Sequence, residues 1–234
     1  METLFKKKVL IIGATGGIGM ELAKLIKSSQ GDLWLSGRND HKLRQMASEL
    51  GLPGDQTFEA DITDPFQVQA MSEWSGTPDI IINVAGIGII KPLEQLTYED
   101  FNTTIDVNLK GTFHVLKSYL PGMKAVKQGL IINLPGVLGK VPMAGAAAYA
   151  ASKYGLNGML KSVREELKRT NIRITNLYLG GTDTPFWDEI DLNVQRDKFV
   201  LAKEAAKSIW FLCQQPVSGV VSEMVLQPFN HQAI

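Results

Sequence analysis

Cysteine is nearly absent from the 234-residue sequence: Cys213 stands alone. That excludes an internal disulfide framework and any cysteine-rich zinc site. Histidine is also scarce, and His41, His114 and His231 share no metal-ligand spacing, so each reads as a surface or helix residue. Neither sign of charge prevails, because 24 Lys+Arg offset 24 Asp+Glu. This argues against a nucleic-acid partner steered by bulk charge. Long apolar runs are missing, and none approaches the ~20 residues of a membrane span. Met1 to Lys8 carry charge and run straight into a short strand-like segment, without a signal peptide's apolar region and small-residue cleavage site. With a hydrophobic fraction of 44%, these absences predict a folded, soluble, cytoplasmic protein without metal, membrane or nucleic-acid partner.

Present throughout is an alternation of strand-like and helix-like segments. Val9–Ile12, Leu33–Leu35, Ile80–Ile82, Leu130–Ile132 and Ile172–Leu179 are apolar runs of strand length. Thr57–Ala60 is a weaker strand, and Val220–Leu226 a last one. Between them, Glu21–Lys27, Leu43–Leu50, Phe66–Trp74, Ala148–Lys168 and Lys203–Cys213 carry helical spacing. A further helix starts at Thr97 with Asp100 and is expected to run to Leu120, where Pro121-Gly122 stops it. Strands apolar on both faces and separated by helices imply a parallel sheet covered on both sides. With no linker or repeat, residues 1–234 are read as one domain of α/β class, doubly wound and Rossmann-type. The expectation is a three-layer sandwich with a seven-stranded parallel sheet.

The segment Gly13-Ala14-Thr15-Gly16-Gly17-Ile18-Gly19 lies between the first strand and the first helix. A glycine-rich turn there lets backbone approach a phosphate, while the helix N-terminus turns N–H groups toward it. The plainer reading is a tight turn with no ligand. A dinucleotide fold also places an acidic residue at the carboxyl end of the second strand to take a ribose 2′-hydroxyl. Asp32 fits by count but precedes Leu33–Leu35 and sits at the wrong end. The right end holds Ser36-Gly37-Arg38, with a guanidinium suited to a 2′-phosphate. NADP(H) is therefore preferred over NAD(H), the alternative being that Arg38 is a solvated surface charge.

Tyr149 and Lys153 fall four apart, on one helix face. A nearby ammonium is expected to lower the phenol's pKa and suit it to exchange a proton with a carbonyl or alcohol oxygen.

In the company of the glycine turn, these residues resemble the short-chain dehydrogenase/reductase family over essentially the whole chain. Gly13, Gly17 and Gly19 match its Gly-x-x-x-Gly-x-Gly cofactor turn. Asp61-Ile62 matches the adenine contact, and Asn83-Val84-Ala85-Gly86 its Asn-Asn-Ala-Gly turn. Asn108 matches the helix asparagine that holds a proton-relay water. Tyr149 and Lys153 match the Tyr-x-x-x-Lys pair. Gly180-Gly181-Thr182-Asp183-Thr184 is similar to the Pro-Gly-x-x-Thr segment beside the nicotinamide. The resemblance implies hydride transfer between nicotinamide and a carbonyl or alcohol carbon. Tyr149 is then the acid/base, Lys153 holds the nicotinamide ribose and tunes Tyr149, and Asn108 completes the catalytic set. Cofactor contacts are implied for Thr15, Gly16 and Ile18 beside the three turn glycines, and for Arg38, Asp61, Ile62, Asn83, Ala85 and Gly86. Tyr149, Lys153, Gly181, Thr182 and Thr184 complete them. The long helix from Thr97 and the helix of Tyr149 match the family's dimer faces, so a homodimer or homotetramer is implied.

The family's catalytic serine falls at Gly136, and no serine or threonine lies between Gly129 and Tyr149. Losing one donor to the substrate oxygen typically costs roughly 10²–10³-fold in rate. The Gly136 backbone N–H is a candidate replacement. The missing serine keeps a second reading open, a catalytically weak or inactive nucleotide-binding protein acting as a sensor or oligomer partner. Ile87, Val137, Met143, Phe186 and Trp187 suggest an apolar pocket for a small-molecule ketone, aldehyde or alcohol without strong charge. The stretch from Thr184 to Lys203 looks short for a lid, so an open site is expected.

Overall fold

In the computed structural model, which describes residues 3–190, 192–216, 218–231 and 234, the apolar runs become parallel strands. They are β1 Lys8–Ile12, β2 Asp32–Gly37, β3 Thr57–Glu59, β4 Ile80–Asn83, β5 Gln128–Asn133 and β6 Asn171–Leu179. Short β7 (Thr182–Asp183) and β8 (Val200–Leu201) pair with each other, and β9 (Glu223–Leu226) closes the main sheet. The seven-stranded order is β3-β2-β1-β4-β5-β6-β9, all pairs parallel. β1 is the strand from which the chain winds first one way and then the other. Ligands of such sheets bind at that reversal, outside the carboxyl ends.

Successive side chains of one strand feed two cores, because strand side chains alternate between faces. Ile80 and Ile82 enter the core built with Leu22, Ile26, Leu43 and Ile209. Ile81 enters the other, with Met71, Val115, Leu156 and Leu160. Each of these isoleucines is at most 4% exposed, and burying one contributes about 1.5–3 kcal/mol. The helices that bring these residues are α1 (Gly17–Ser28), α2 (Asp40–Glu49), α3 (Pro65–Ser75), α4 (Tyr98–Ile105), α5 (Gly111–Val126), α6 (Ala147–Glu166) and α7 (Ala202–Leu212).

Two local expectations are corrected. The helix from Thr97 begins with the capping box of Thr97 and Asp100 and stays helical throughout, but not in α geometry throughout. Asp106–Lys110 forms a π turn between α4 and α5. The helix also does not stop at Pro121, which lies inside α5. Proline forgoes its own N–H bond one turn back and crowds the carbonyl there, but Tyr119 and Met123 on either side are buried deeply enough to hold the helix together. Termination comes at Lys127, in the left-handed conformation at φ 58°. Among the described residues, no helix is long and apolar enough to cross a membrane, and no cluster of His, Cys, Asp and Glu could hold a metal ion. Cys213 is buried, and burial pushes its thiol pKa up, which leaves it protonated.

Candidate active site

β1 and β4 run side by side to Ile12 and Asn83, and the Val84 N–H donates to the Ile12 carbonyl at 3.0 Å. The chain leaves both strands at once, so the glycine turn and the 84–87 turn meet. Gly13 takes φ +84°, and a Cβ there would stand 2.7 Å from the Ala85 nitrogen. Glycine is required on both counts. Asn83 shapes the second turn from behind. Its Oδ1 accepts from the Ala85 N–H at 3.2 Å, and its Nδ2 donates to Thr112 Oγ1 at 3.0 Å.

α1 starts at Gly17 with no side-chain cap, leaving first-turn N–H groups directed toward the turn. These groups face an elongated cleft of about 1020 Å³. One end of the cleft is walled by Gly13, Thr15, Gly16, Gly17, Ile18 and Gly19, and the other by Gly136, Tyr149 and Lys153. Ala85, Gly86, Gly181, Thr182 and Thr184 lie along it. A smaller cavity of about 250 Å³ adjoins the glycine turn and is lined by Arg38, Asp61 and Ile62. Asp61 Oδ1 is held by the Thr63 N–H and hydroxyl, both at 2.8 Å. A cleft with uncapped N–H groups along one wall and a buried lysine on another, adjoined by a smaller cavity that carries a guanidinium, fits a phosphorylated dinucleotide.

Tyr149 and Lys153 share the inner face of α6, and Lys153 Nζ lies 5.5 Å from the centre of the Tyr149 ring. Lys153 is 5% exposed, and its ammonium donates to the Leu134 carbonyl at 2.9 Å. The expected lowering of the tyrosine pKa does not occur. Burial penalises charge on both groups, raising the phenol above its ordinary range and pushing Lys153 down to about 8. Among the described residues none hydrogen-bonds the Tyr149 hydroxyl.

Asn108, in the π turn, does not line the cleft. Its Oδ1 accepts from the Ile87 N–H at 2.9 Å, and its Nδ2 donates to the Ile87 carbonyl at 2.9 Å and to Ser152 Oγ at 3.0 Å. Ser152 in turn donates to the Tyr149 carbonyl at 2.7 Å. The asparagine thus ties the 84–87 turn to the helix of Tyr149. This tether also moves Ile87 away from the expected substrate side: it lines the smaller cavity with Arg38 and Asp61.

Gly136 follows β5 and takes φ +69°. A serine there is strained whatever the space around it. Its N–H donates to no described residue, and Gly136 shares the cleft with Tyr149.

Val137, Met143, Phe186 and Trp187 all line the cleft. The expectation of an open site is corrected here. The stretch after Thr184 is short, yet it folds inward, and Phe186 lies over Tyr149 with ring centroids 6.0 Å apart. Its ring tip occupies the place that a Cβ on Gly88 would take, 2.3 Å from Cζ. Absence of a side chain at Gly88 lets a short stretch reach across. Further cleft residues are Lys42, Leu138 and Asn230, which the sequence did not single out, and His231, which reads there as a surface or helix residue. Lys42 is visible as a helix residue just beyond Arg38. The others are brought in by turns that carry no motif.

A family model described as short chain dehydrogenase matches residues 7–195. An uncharacterized oxidoreductase of Staphylococcus epidermidis is 32% identical, covering 97% of this chain and all of the relative. The structure of an alcohol dehydrogenase from the archaeon Thermococcus sibiricus, complexed with 5-hydroxy-NADP, superposes with TM-score 0.85 at 25% identity, over 97% of this chain and 99% of that one. A point variant of actinorhodin polyketide ketoreductase, with NADPH, superposes with TM-score 0.84 at 25% identity, over 97% and 98%.

Proposed function

The chain belongs to the short chain dehydrogenase family of oxidoreductases, and from that premise we propose that it is an NADP(H)-dependent enzyme interconverting a ketone or aldehyde and an alcohol. The observation that carries this reading is the shared cleft: the glycine turn, Lys153 and a phenol with an unshared hydroxyl line one continuous space. The bound cofactor would supply or accept the hydride. Its pyrophosphate would be held by the N–H groups at the start of α1, its 2′-phosphate by Arg38, and its nicotinamide ribose by Lys153. Solved structures of the same fold bound to NADPH or 5-hydroxy-NADP support the cofactor class.

Tyr149 holds the proton. At neutral pH its raised pKa keeps it protonated, ready to donate to a substrate oxygen as charge develops there. The serine's missing hydrogen bond is replaced by the Gly136 N–H, a donor already fixed by the turn and costing no side-chain ordering. Val137, Met143, Phe186 and Trp187 shape an apolar substrate side with no charged group of their own. The chain acts as a homodimer or homotetramer through α4, α5 and α6.

The competing reading, a nucleotide-binding protein with little catalysis, rests on Gly136 alone. NADPH oxidation with a panel of uncharged ketones and aldehydes separates the two. Turnover that is lost in Tyr149→Phe supports the enzyme. Micromolar NADPH binding with no turnover of any carbonyl supports the binding protein.

A further inference from the structure

We propose that Arg196 is a positioning residue that clamps the 182–201 stretch so that Phe186 stays over Tyr149, and thereby sets which substrates reach the phenol. The selectivity part of this inference rests on the carbonyl-reductase reading above.

The stretch is closed at its base by the β7–β8 ladder, Thr182 opposite Val200 and Asp183 opposite Leu201. Among the described residues between these ends, none pairs with a strand of the main sheet. One guanidinium supplies the tie across it. Arg196 Nε donates to Asp183 Oδ1 at 2.7 Å, Nη1 to Asp188 Oδ1 at 2.6 Å, and Nη2 to the Thr184 carbonyl at 3.1 Å. The three acceptors bracket Pro185, Phe186 and Trp187, which form a single helical turn. A planar fork of donors fixes direction as well as distance, which a lysine cannot do.

The turn thus held carries the aromatic cover. Phe186 meets Tyr149 on one side and Trp187 on the other, with centroids 6.0 Å and 5.5 Å away. Trp187 rests on Phe199, and its Nε1 donates to the Thr182 carbonyl at 2.9 Å. The Arg196, Asp183 and Asp188 side chains are 39%, 36% and 57% exposed. Ion pairs so exposed add little to global stability. Their effect is local: inside the β7–β8 ladder the other backbone bonds among described residues span two or three residues each, whereas the guanidinium joins Asp183 and Thr184 to a point 12 or 13 residues along the chain.

The test compares wild type, Arg196→Gln, Arg196→Lys and Asp188→Asn by trypsin cleavage of the Lys198–Phe199 bond, followed by mass spectrometry on cofactor-free protein. Cleavage needs local opening of the backbone. Arg196→Gln should speed it about tenfold, Asp188→Asn less, and Arg196→Lys should restore only part of the protection, while the urea midpoint stays within error. Cleavage at the wild-type rate overturns the clamp. So does faster cleavage matched by an equal fall in global stability. The second arm measures kcat and KM for a small and a bulky ketone in Arg196→Gln, Phe186→Ala and the double variant. The two single changes should shift the KM ratio in the same direction and the double should add nothing, because both release the same ring. Independent, additive shifts overturn the role assigned to Phe186. Absence of turnover in wild type overturns the carbonyl-reductase reading instead, and the cleavage result still decides the clamp.

Discussion

The Lys153 ammonium is held by the Leu134 carbonyl, 2.9 Å from Nζ, inside a wall that leaves the side chain 5% exposed. One hydrogen bond does not offset the loss of water around a charge, so the amine's pKa falls to about 8 from an ordinary 10.5. The pair therefore holds a charge that the fold resists.

Stability should follow that titration. Unfolded Lys153 keeps its proton up to its ordinary pKa, while the folded protein releases it above about pH 8. Between those values the unfolded state binds more protons, so Lys153 makes stability rise with pH. Below pH 8 the full penalty is present, on the order of 3 kcal/mol. Lys153→Met should be the more stable protein at pH 7, and wild type should close the gap by pH 10. Urea denaturation of both at the two pH values checks this. Other groups titrate alike in both proteins and cancel. A gap independent of pH would contradict it.

Gly136→Ser should not yield a better enzyme. At φ 69° and ψ 168° a side chain costs roughly 1–3 kcal/mol, and relaxing that strain moves the N–H assigned to the substrate oxygen. Gly136→Ala should lose the same stability. NADPH oxidation and thermal unfolding of the three proteins provide the measurement. A serine variant with raised turnover would mean that the loop adapts and that the N–H is dispensable.

Arg38→Ala should weaken NADPH and leave NADH unchanged. A charge-assisted bond contributes about 1.5–3 kcal/mol, so the NADPH Kd should rise roughly 10- to 100-fold. Calorimetric titration with both nucleotides is sufficient. Equal loss for both would place Arg38 outside the 2′-phosphate contact.

Tyr149→Phe should lower turnover about 10²–10⁴-fold, the range for a positioned acid or base. Nucleotide affinity should be kept, because the Lys153 bond to Leu134 does not involve the phenol. Comparing single-turnover rates with NADPH Kd separates chemistry from binding.

Asn108→Ala should act at a distance. It breaks the two bonds to Ile87 and the one to Ser152, leaving buried partners unpaired at a cost of about 1–3 kcal/mol each. Thermal unfolding should show the loss, and NADPH affinity should fall with it as the 84–87 turn loosens.

Much of this protein was legible before folding. Val9–Ile12 and Ile80–Ile82 are apolar at every position, which requires cover on both faces and hence a parallel sheet. Gly13, Gly17 and Gly19 between a strand and a helix specify a turn that backbone and ligand can approach. Tyr149 and Lys153 at a spacing of four must share a helix face. These are consequences of period and of side-chain size, and they need no distant contact.

Tertiary structure decided what depends on distant contact. The direction of the Tyr149 and Lys153 shifts comes from burial, which a spacing of four along a helix does not reveal. The π turn at Asp106–Lys110 is set by what Asn108 must reach, the Ile87 backbone and Ser152. Phe186 covers Tyr149 because Gly88 has no side chain and Arg196 ties the stretch down. Local pattern fixes which face of an element is apolar; only packing fixes what that face meets, how dry it becomes and which hydrogen bonds remain to be filled.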